Sequence, residues 1–574
     1  MQKKWQLIEV PDREEFSTIP SLLFASRNLV DPNEIAAFVS PDWDSGIHDP
    51  FLFRQMPAAV ERIYQALDAG EHVTVHGDYD ADGVTGSAVM ISVLKFLIEM
   101  RGPQEKMPVI DFYIPHRDEE GYGLHPKTIE MLHERGTTLI ITVDCGISCV
   151  AEIAQANELG IETIVVDHHQ FGETLPDGYL IHPKLPGEAY PFPHLAAVGV
   201  AFKFACALLS EGRGRGLPIV VGWEKWLLDF VSIATVTDMV PMVGENRVLE
   251  TFGLKVLNKT RRPGLRKLIE LSGCELGKLT TESVGFALGP RINAAGRMDR
   301  ATVALQLMLA ESVEEASILG AQIEKLNRQR QETTKSMMQD AELKLAEASP
   351  FNVLVLSSET WSPSLVGIVA GRLLEAHGKP SVIIGKFGDR WVGSGRSFAS
   401  YDITEAMKRS SGELLSHVGG HVQACGFSFS GDASLDLVTA QLRADAAERL
   451  SADSCVPVLM IDAEVSFDDL SWELVETLNQ FEPFGMENRR PVFLTRKVEV
   501  LACDLIGSTQ NHVRCTLRHL SGRSMKCIGF SFGPRISEFA LGTYIDVVYD
   551  VSVNEWNGHR EIQCKLVDVR PAEL

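Results

Sequence analysis

The sequence predicts an α/β protein of several domains: a parallel-sheet domain, a long connecting helix, a second α/β domain and a C-terminal β-barrel. Three observations predict it. Between about residues 49 and 255, apolar β-branched runs alternate with helical patterns, the signature of a parallel sheet. One unbroken helical pattern runs from Val313 to Ala348. Beyond about residue 453 the chain turns into short alternating strands. With 574 residues, 45% hydrophobic and 23% charged, it has material for several cores.

Residues 1–48 read as an irregular N-terminal segment with a short helix. The start, Met1-Gln-Lys-Lys-Trp, lacks the apolar core of a secretory signal. No run approaches the roughly 18 unbroken apolar residues of a membrane span. The expected location is the cytoplasm.

In the 49–255 domain the clearest strands are His72–His76, Thr138–Asp144 and Ile161–Asp167, and each ends in a carboxylate or an imidazole. The first feeds His76-Gly-Asp78-Tyr-Asp80-Ala-Asp82-Gly83, with a helix expected from near Thr85. The second ends at Asp144-Cys-Gly146 and the third at Asp167-His168-His169. Ligands of an open parallel sheet bind at the carboxyl ends of its strands. The fold therefore gathers Asp78, Asp80, Asp82, Asp144 and Asp167 with His76, His168 and His169 around one crevice. Asp238, ending a later apolar segment, offers a further ligand.

So many anions raise one another's pKa, and divalent cations are the natural compensation. Oxygen and imidazole donors without thiolates suit two Mn²⁺ or Mg²⁺ ions, and Asp80 and Asp82, one residue apart, can reach adjacent ions. Each piece alone has a plainer reading: Asp-x-Asp in a turn, Asp167 or Asp238 as a helix cap. Their coincidence at three strand ends is what points to a metal centre. No Ser-His-Asp or Cys-His nucleophile is apparent, which fits hydrolysis by an activated water.

The connector, residues 256–348, carries Ala316, Leu319, Ile323 and Leu326 on one helix face and is long enough to bridge two domains. The second α/β domain, 349–452, starts at the run Val353-Leu-Val-Leu-Ser. It contains Gly393-Ser394-Gly395-Arg396-Ser397 and Gly419-Gly420-His421. A Gly-rich loop with Ser and Arg can cradle a phosphate; the plainer reading is a pair of tight turns. Within 453–574, Lys497–Cys503, Val513–Leu517, Tyr544–Val553 and Glu561–Val569 suit a small antiparallel barrel, with an OB-fold as the leading candidate. Phe530 and Trp556 are stacking candidates there, or else barrel core.

Lys and Arg number 54 against 77 Asp and Glu, a formal charge of −23 that argues against a polyanionic partner. Local clusters soften this: Lys259, Arg261, Arg262, Arg266 and Lys267, and Arg489, Arg490, Arg496 and Lys497. The ten cysteines contain no Cys-x-x-Cys and read as reduced, partly buried thiols.

Together these residues resemble the DHH phosphoesterase superfamily. His76, Asp80 and Asp82 match its His-x-x-x-Asp-x-Asp motif, Asp144 the second motif, Asp167-His168-His169 the signature triplet and Asp238 the fourth. The resemblance implies one cation on His76, Asp80 and Asp144, and another on Asp82, Asp144, His168 and Asp238. His169 would face the scissile phosphate, Asp167 would orient its neighbours, and Asp78 would stand with the catalytic groups. Gly419-Gly420-His421 resembles the signature of the DHHA1 substrate-binding domain. Ile114-Pro-His-Arg117, Glu120-Gly-Tyr-Gly, Val198–Lys203, Asp238–Arg247, Gly289–Arg297, Pro483-Phe-Gly485 and Asn554–Gly558 resemble the exonuclease branch.

That branch degrades single-stranded DNA from its 5′ end in DNA repair and recombination. The resemblance implies Arg117, Ser394 and Arg396 on the terminal phosphate. Gly419, Gly420 and His421 would bind substrate, and the OB-fold would grip the incoming strand. Arg291, Asn293 and Arg297 would line its path or form structural ion pairs. A helicase and a single-strand-binding protein are the implied partners. Ser362 stands where that branch commonly has His, a departure from the branch's pattern in that loop. The alternative, a DHH/DHHA1 phosphodiesterase for short oligonucleotides or cyclic dinucleotides, generally lacks an OB-fold tail. A catalytically dead scaffold would have lost ligands that are all present here.

Overall fold

A computed structural model describes residues 3–10, 16–347, 351–450, 456–556 and 558–573. The chain divides into two compact units, one spanning Trp43–Val456 and the other joining Gln2–Asp42 to Pro457–Leu574.

In the first unit, five parallel strands stand in the order Val109–Tyr113, His72–Gly77, Leu139–Val143, Glu162–Val166, Tyr179–Ile181. The chain order is thus 2-1-3-4-5, and the sheet switches direction between its first and third strands. Crevices form at such switch points, outside the carboxyl ends of the strands. Of the edge strands, Tyr179–Ile181 has three residues and Val109–Tyr113 carries Asp111 at its centre, so they do not stand out in the sequence; the three central ones are rich in apolar β-branched residues and mostly buried.

The helix after the first strand starts earlier than expected, spanning Ala81–Arg101, because the Asp80 carboxylate caps it by accepting from the Asp82 and Gly83 amides. It is long and apolar enough to cross a membrane, but it is packed within the core of this unit.

The connecting helix spans Val313–Glu347 and serves two cores. Ala316 and Ile323 pack with the parallel-sheet core, whereas Met337 and Ala341 pack with Leu365, Val369 and Ile383 of the following domain. That domain holds a five-stranded mixed sheet in the order His417–His421, Ala424–Ser430, Arg390–Arg396, Ser381–Phe387, Leu354–Ser358. The two sequence motifs lie side by side in it, because Ser394 registers with Gly426 and Gly426 with Gly419.

In the second unit, strands Phe493–Ile506, His512–Arg518, Ser524–Gly529, His559–Pro571 and Tyr544–Trp556 pair in that order, and the last closes on the first. The barrel is not wholly antiparallel: Ser524–Gly529 and His559–Pro571 run parallel. The N-terminal segment belongs to this unit. Lys4–Leu7 pairs in parallel with Val458–Ile461, and Leu23 and Phe38 enter the barrel core beside Phe481.

Cysteine chemistry departs from expectation at one place. Cys503 and Cys515, opposite one another on adjacent strands, form a disulfide. Seven other cysteines are free thiols, and Cys455 lies outside the described residues.

Candidate metal centre and phosphate cleft

The predicted acids and imidazoles do converge at the switch point. Asp144 follows the Leu139–Val143 strand with φ +64°, a left-handed conformation uncommon outside glycine and held in place by its amide donating to the Val166 carbonyl. His168 Nε2 lies 3.4 Å from Asp144 Oδ1, 3.6 Å from Asp238 Oδ2 and 3.8 Å from Asp82 Oδ2. Three groups of donor atoms come close enough to share an ion: Asp82 with His168 and Asp238, Asp78 with Asp80 and Asp144, and Asp144 with His168 and His169. The first reproduces three of the four ligands expected for one cation. The second contains Asp78 in the place expected for His76. His76 itself is fully buried one residue before the strand end, with Nε2 lacking any hydrogen bond.

The electrostatics fit a site for divalent cations. Burial, and then the neighbouring Asp80, push the Asp78 carboxyl up to about 8 and that of Asp82 to about 7. Asp82 is raised even though its oxygens accept from the Ala197 and Val198 amides at 2.7 and 2.8 Å, at the start of the Ala197–Gly214 helix. Asp144 and Asp238 are raised further by burial and by the other acids. Burial lowers His168 to about 3, so its imidazole is neutral and available as a donor. Asp78 Oδ1, Asp144 Oδ1, His76 Nε2 and His168 Nε2 are all buried without hydrogen-bond partners. Buried polar atoms are ordinarily paired. Orphaned oxygens and neutral imidazole nitrogens pressed together are the donor set of a divalent cation.

Asp167 has a different task. Its carboxylate accepts from the Ile147, His168 and His169 amides and from His169 Nδ1 at 2.9 Å, so although burial alone would raise it, it is held down at about 2. Burial alone would lower His169, but this hydrogen bond and the Asp167 charge lift it to about 9. Asp167 therefore orients a cationic imidazole at the edge of the acid group.

Beside the acids runs a cleft of about 470 Å³, lined by Tyr79, Arg117, Arg297, Ser394, Arg396 and Gly419 among others. Arg117 stacks on the Tyr79 ring, 4.6 Å from its centroid. The loop carrying it is pinned by Glu120, which accepts from Tyr113 Oη and the His116 amide. Arg297 donates to the Ser364 carbonyl and Arg396 to Ser394 Oγ. Burial and then the nearby Arg117 lower Arg297 to about 9, and Arg396 is lowered for similar reasons. Like charges crowd this cleft as they do the crevice, with the sign reversed.

The remaining expected residues divide. Asn293 Oδ1 accepts from the Ala81 amide at 2.7 Å, so it braces the acid-bearing loop. Arg291 does not reach the cleft lining: it pairs with Glu324 at 2.9 Å and donates to the Ala287 and Leu271 carbonyls, the structural alternative. Gly420 has φ +147°, and a Cβ there would meet the Ala424 carbonyl at 2.3 Å, so close strand packing requires glycine at this position. His421 is exposed and outside the cleft lining, whereas His417, from the same strand, is in it. The expected basic clusters are in part taken up by ion pairs: Arg262–Asp229, Lys267–Glu270, Arg489–Asp462, Arg490–Glu482 and Arg496–Glu464.

Comparison with known proteins agrees with this geometry. Family models match in chain order: the DHH family N-terminal domain over residues 72–235, the DHHA1 domain over 351–448 and the RecJ OB domain over 461–568. The single-stranded-DNA-specific exonuclease RecJ of Bacillus subtilis is 35% identical over 99% of this chain and 71% of its own length. That of Dickeya dadantii is 32% identical over 98% and 97%. The chain belongs to the RecJ family. The crystal structure of RecJ from Thermus thermophilus in complex with Mn²⁺ aligns with a TM-score of 0.81 at 28% identity, covering all of this chain and 80% of that one. A Mg²⁺ complex aligns with a TM-score of 0.76 at 26% identity.

Three site residues of this RecJ-family chain were not legible as such in the sequence. Tyr122 Oη donates to the Asp144 carbonyl and lies 3.1 Å from His169 Nδ1, linking the two motifs. Ser364 Oγ donates to Asp118, and its carbonyl accepts from Arg297, fastening the second domain to the Arg117 loop. His417 is signalled only by its strand alternation with Gly419.

Proposed function

We infer that this chain is a metal-dependent exonuclease that hydrolyses phosphodiester bonds of single-stranded DNA from the 5′ end, in DNA repair and recombination. The observation that carries the reading is the juxtaposition at one switch point of orphaned acids and a cleft crowded with arginines.

His76, Asp78, Asp80, Asp82, Asp144, His168 and Asp238 are the residues that would hold two divalent cations, with Asp144 shared. When bound, Mn²⁺ or Mg²⁺ supplies Lewis-acid polarisation of the phosphoryl group and lowers the pKa of water. The protein's own groups do the rest. His169, held cationic by Asp167, donates to a non-bridging oxygen of the scissile phosphate, where charge grows in the transition state. Tyr122 fixes the spacing of His169 and Asp144. Arg117, Arg396 and Ser394 hold the terminal 5′ phosphate in the adjoining cleft, so the bond presented to the acids lies near the end of the chain. This is the basis of exonucleolytic rather than internal cleavage.

In the barrel unit, Phe530 is half-exposed, with His512 and Lys565 close to its ring, and fits a base-stacking site. The Trp556 side chain lies outside the described residues. We place the reaction in the cytoplasm, where a helicase would supply single strands and a single-strand-binding protein would keep them open.

Long single-stranded DNA labelled at either end and digested with Mn²⁺ tests the reading. Mononucleotides released from the 5′ end alone, with none from Asp144→Ala, are the expected result. Activity confined to dinucleotides or cyclic dinucleotides would move the chain to a small-substrate role.

A further inference from the structure

The residues already described account for the terminal phosphate and the scissile bond but, within the parallel-sheet unit, assign nothing to the bases next to it. Resting on the exonuclease reading, we propose that Phe286 is the first base-stacking residue for the DNA strand on the 3′ side of the scissile phosphate.

Phe286 is 83% exposed, the most exposed large hydrophobic residue among those described. It stands in a π-helical turn, Val284–Leu288, placed between a short helix and the Gly289–Met298 helix. π-turns arise where a helix carries one residue too many for its hydrogen bonding, and they concentrate at functional sites. Here the turn is pressed against the last turn of the Leu228–Thr237 helix, whose C-cap is Asp238. A Cβ on Gly289 would lie 2.2 Å from Thr237 Cγ2, and one on Gly285 would lie 3.5 Å from Val236 Cγ1. The two glycines form the contact face, and Phe286, the residue after the first of them, is left on the solvent side. Met239, directly after the Asp238 cap, is 64% exposed with φ +56°, a second apolar group turned to solvent at that end of the Leu228–Thr237 helix.

The order of groups across the site gives the direction. The arginine cleft abuts Tyr79, which sits between Asp78 and Asp80. That acid group shares Asp144 with His168, and His168 lies 3.6 Å from Asp238. From the 5′-phosphate cleft the succession of neighbours therefore passes through the acids to Asp238 and to Val236 and Thr237, against which the glycines flanking Phe286 pack. A strand whose 5′ end occupies the cleft leaves on the Asp238 side. A phenyl ring has no hydrogen-bonding group with which to choose among bases, so stacking there is sequence-tolerant, as an exonuclease requires.

The test uses the full chain with Mn²⁺ and 5′-phosphorylated DNA of two kinds, one fully based and one carrying abasic sugars at the second to fourth nucleotides. Phe286→Ala is expected to raise KM on the based strand about tenfold with kcat nearly kept, the scale of one lost base stack. Phe286→Trp is expected to restore it. The abasic strand should raise the parent's KM by a similar factor and leave that of Phe286→Ala almost unmoved. Equal KM for parent and Phe286→Ala, or a further abasic penalty in the variant as large as in the parent, would overturn the proposal. Failure of the parent to digest either strand would instead overturn the exonuclease reading, and this proposal with it. Because the ring is exposed, the thermal transitions of both variants should match the parent; a lowered transition with proportionate loss of kcat would assign Phe286 a structural role and also overturn the proposal.

Discussion

The acid crevice and the arginine cleft adjoin one another and fail in the same way with opposite signs. In the crevice, burial and then neighbouring acids, Asp80 among them each time, raise the pKa of Asp78, Asp82, Asp144 and Asp238, and the Asp78 and Asp144 Oδ1 atoms are left without partners. In the cleft, Arg297 and Arg396 are lowered by burial and by the guanidinium of Arg117. Elsewhere in the same unit, one buried charge is settled by its opposite: Lys203 and Glu245, both fully buried, pair at 2.8 Å, and Tyr190 Oη also donates to Glu245. Burial of charge is therefore not the mark of a site. Charge buried among its own kind is, because a ligand of opposite sign relieves it; in the proposed reading these are divalent cations on one side and the DNA phosphates on the other.

The largest expected effect falls on the self-satisfied pair. Lys203→Met leaves the Glu245 carboxylate buried without its counter-charge, and urea unfolding should show a loss of about 3–5 kcal/mol, with or without Mn²⁺. A loss that Mn²⁺ repaired would break the distinction between the two kinds of buried charge.

Asp144→Asn behaves oppositely in the two states. With Mn²⁺, turnover of single-stranded DNA should fall by at least about 10²–10³-fold, the cost of losing a group that organises transition-state charge. In chelator, removal of one repelling carboxylate should raise the thermal midpoint above that of the parent, by roughly 2–4 °C per kcal/mol relieved. Differential scanning calorimetry in both conditions checks the crossing.

On the cleft side, Arg396→Ala should weaken use of 5′-phosphorylated strands by about 10–100-fold in KM, as expected for a charge-assisted hydrogen bond. The loss on 5′-hydroxyl strands should be smaller, and comparing the two ends separates phosphate recognition from general affinity. The smallest effect belongs to Tyr122→Phe, which removes a neutral hydrogen bond to the Asp144 carbonyl; kcat should drop about two- to tenfold.

These residues also show what the sequence reveals and what it hides. The three central strands and their terminal acids are readable because a buried parallel strand is a continuous apolar run and polar residues at its end interrupt it. The long helix is readable from Ala316 and Ile323, whose spacing matches the face they bury. The edge strands, the earlier start of the Ala81–Arg101 helix and the attachment of the N-terminal segment to the barrel are not. Each depends on a partner distant in the chain or on a capping bond that residue type alone does not specify. Within the site, acids were identifiable by clustering in sequence, but arginines were not separable into ligand-facing and structural ones. Arg291 and Arg297 are six residues apart in one motif, yet one is neutralised by Glu324 and the other lines the cleft. Only the fold decides which guanidinium meets an acid.

The most direct test of the central claim is a calorimetric titration of metal-free protein with Mn²⁺, parent against Asp144→Asn. Two ions bound per chain in the parent, accompanied by a rise in thermal midpoint and both lost in the variant, are the predicted result. No binding in the parent, or binding that Asp144→Asn leaves intact, would contradict it, because the crowded carboxylates would then have some other compensation than metal.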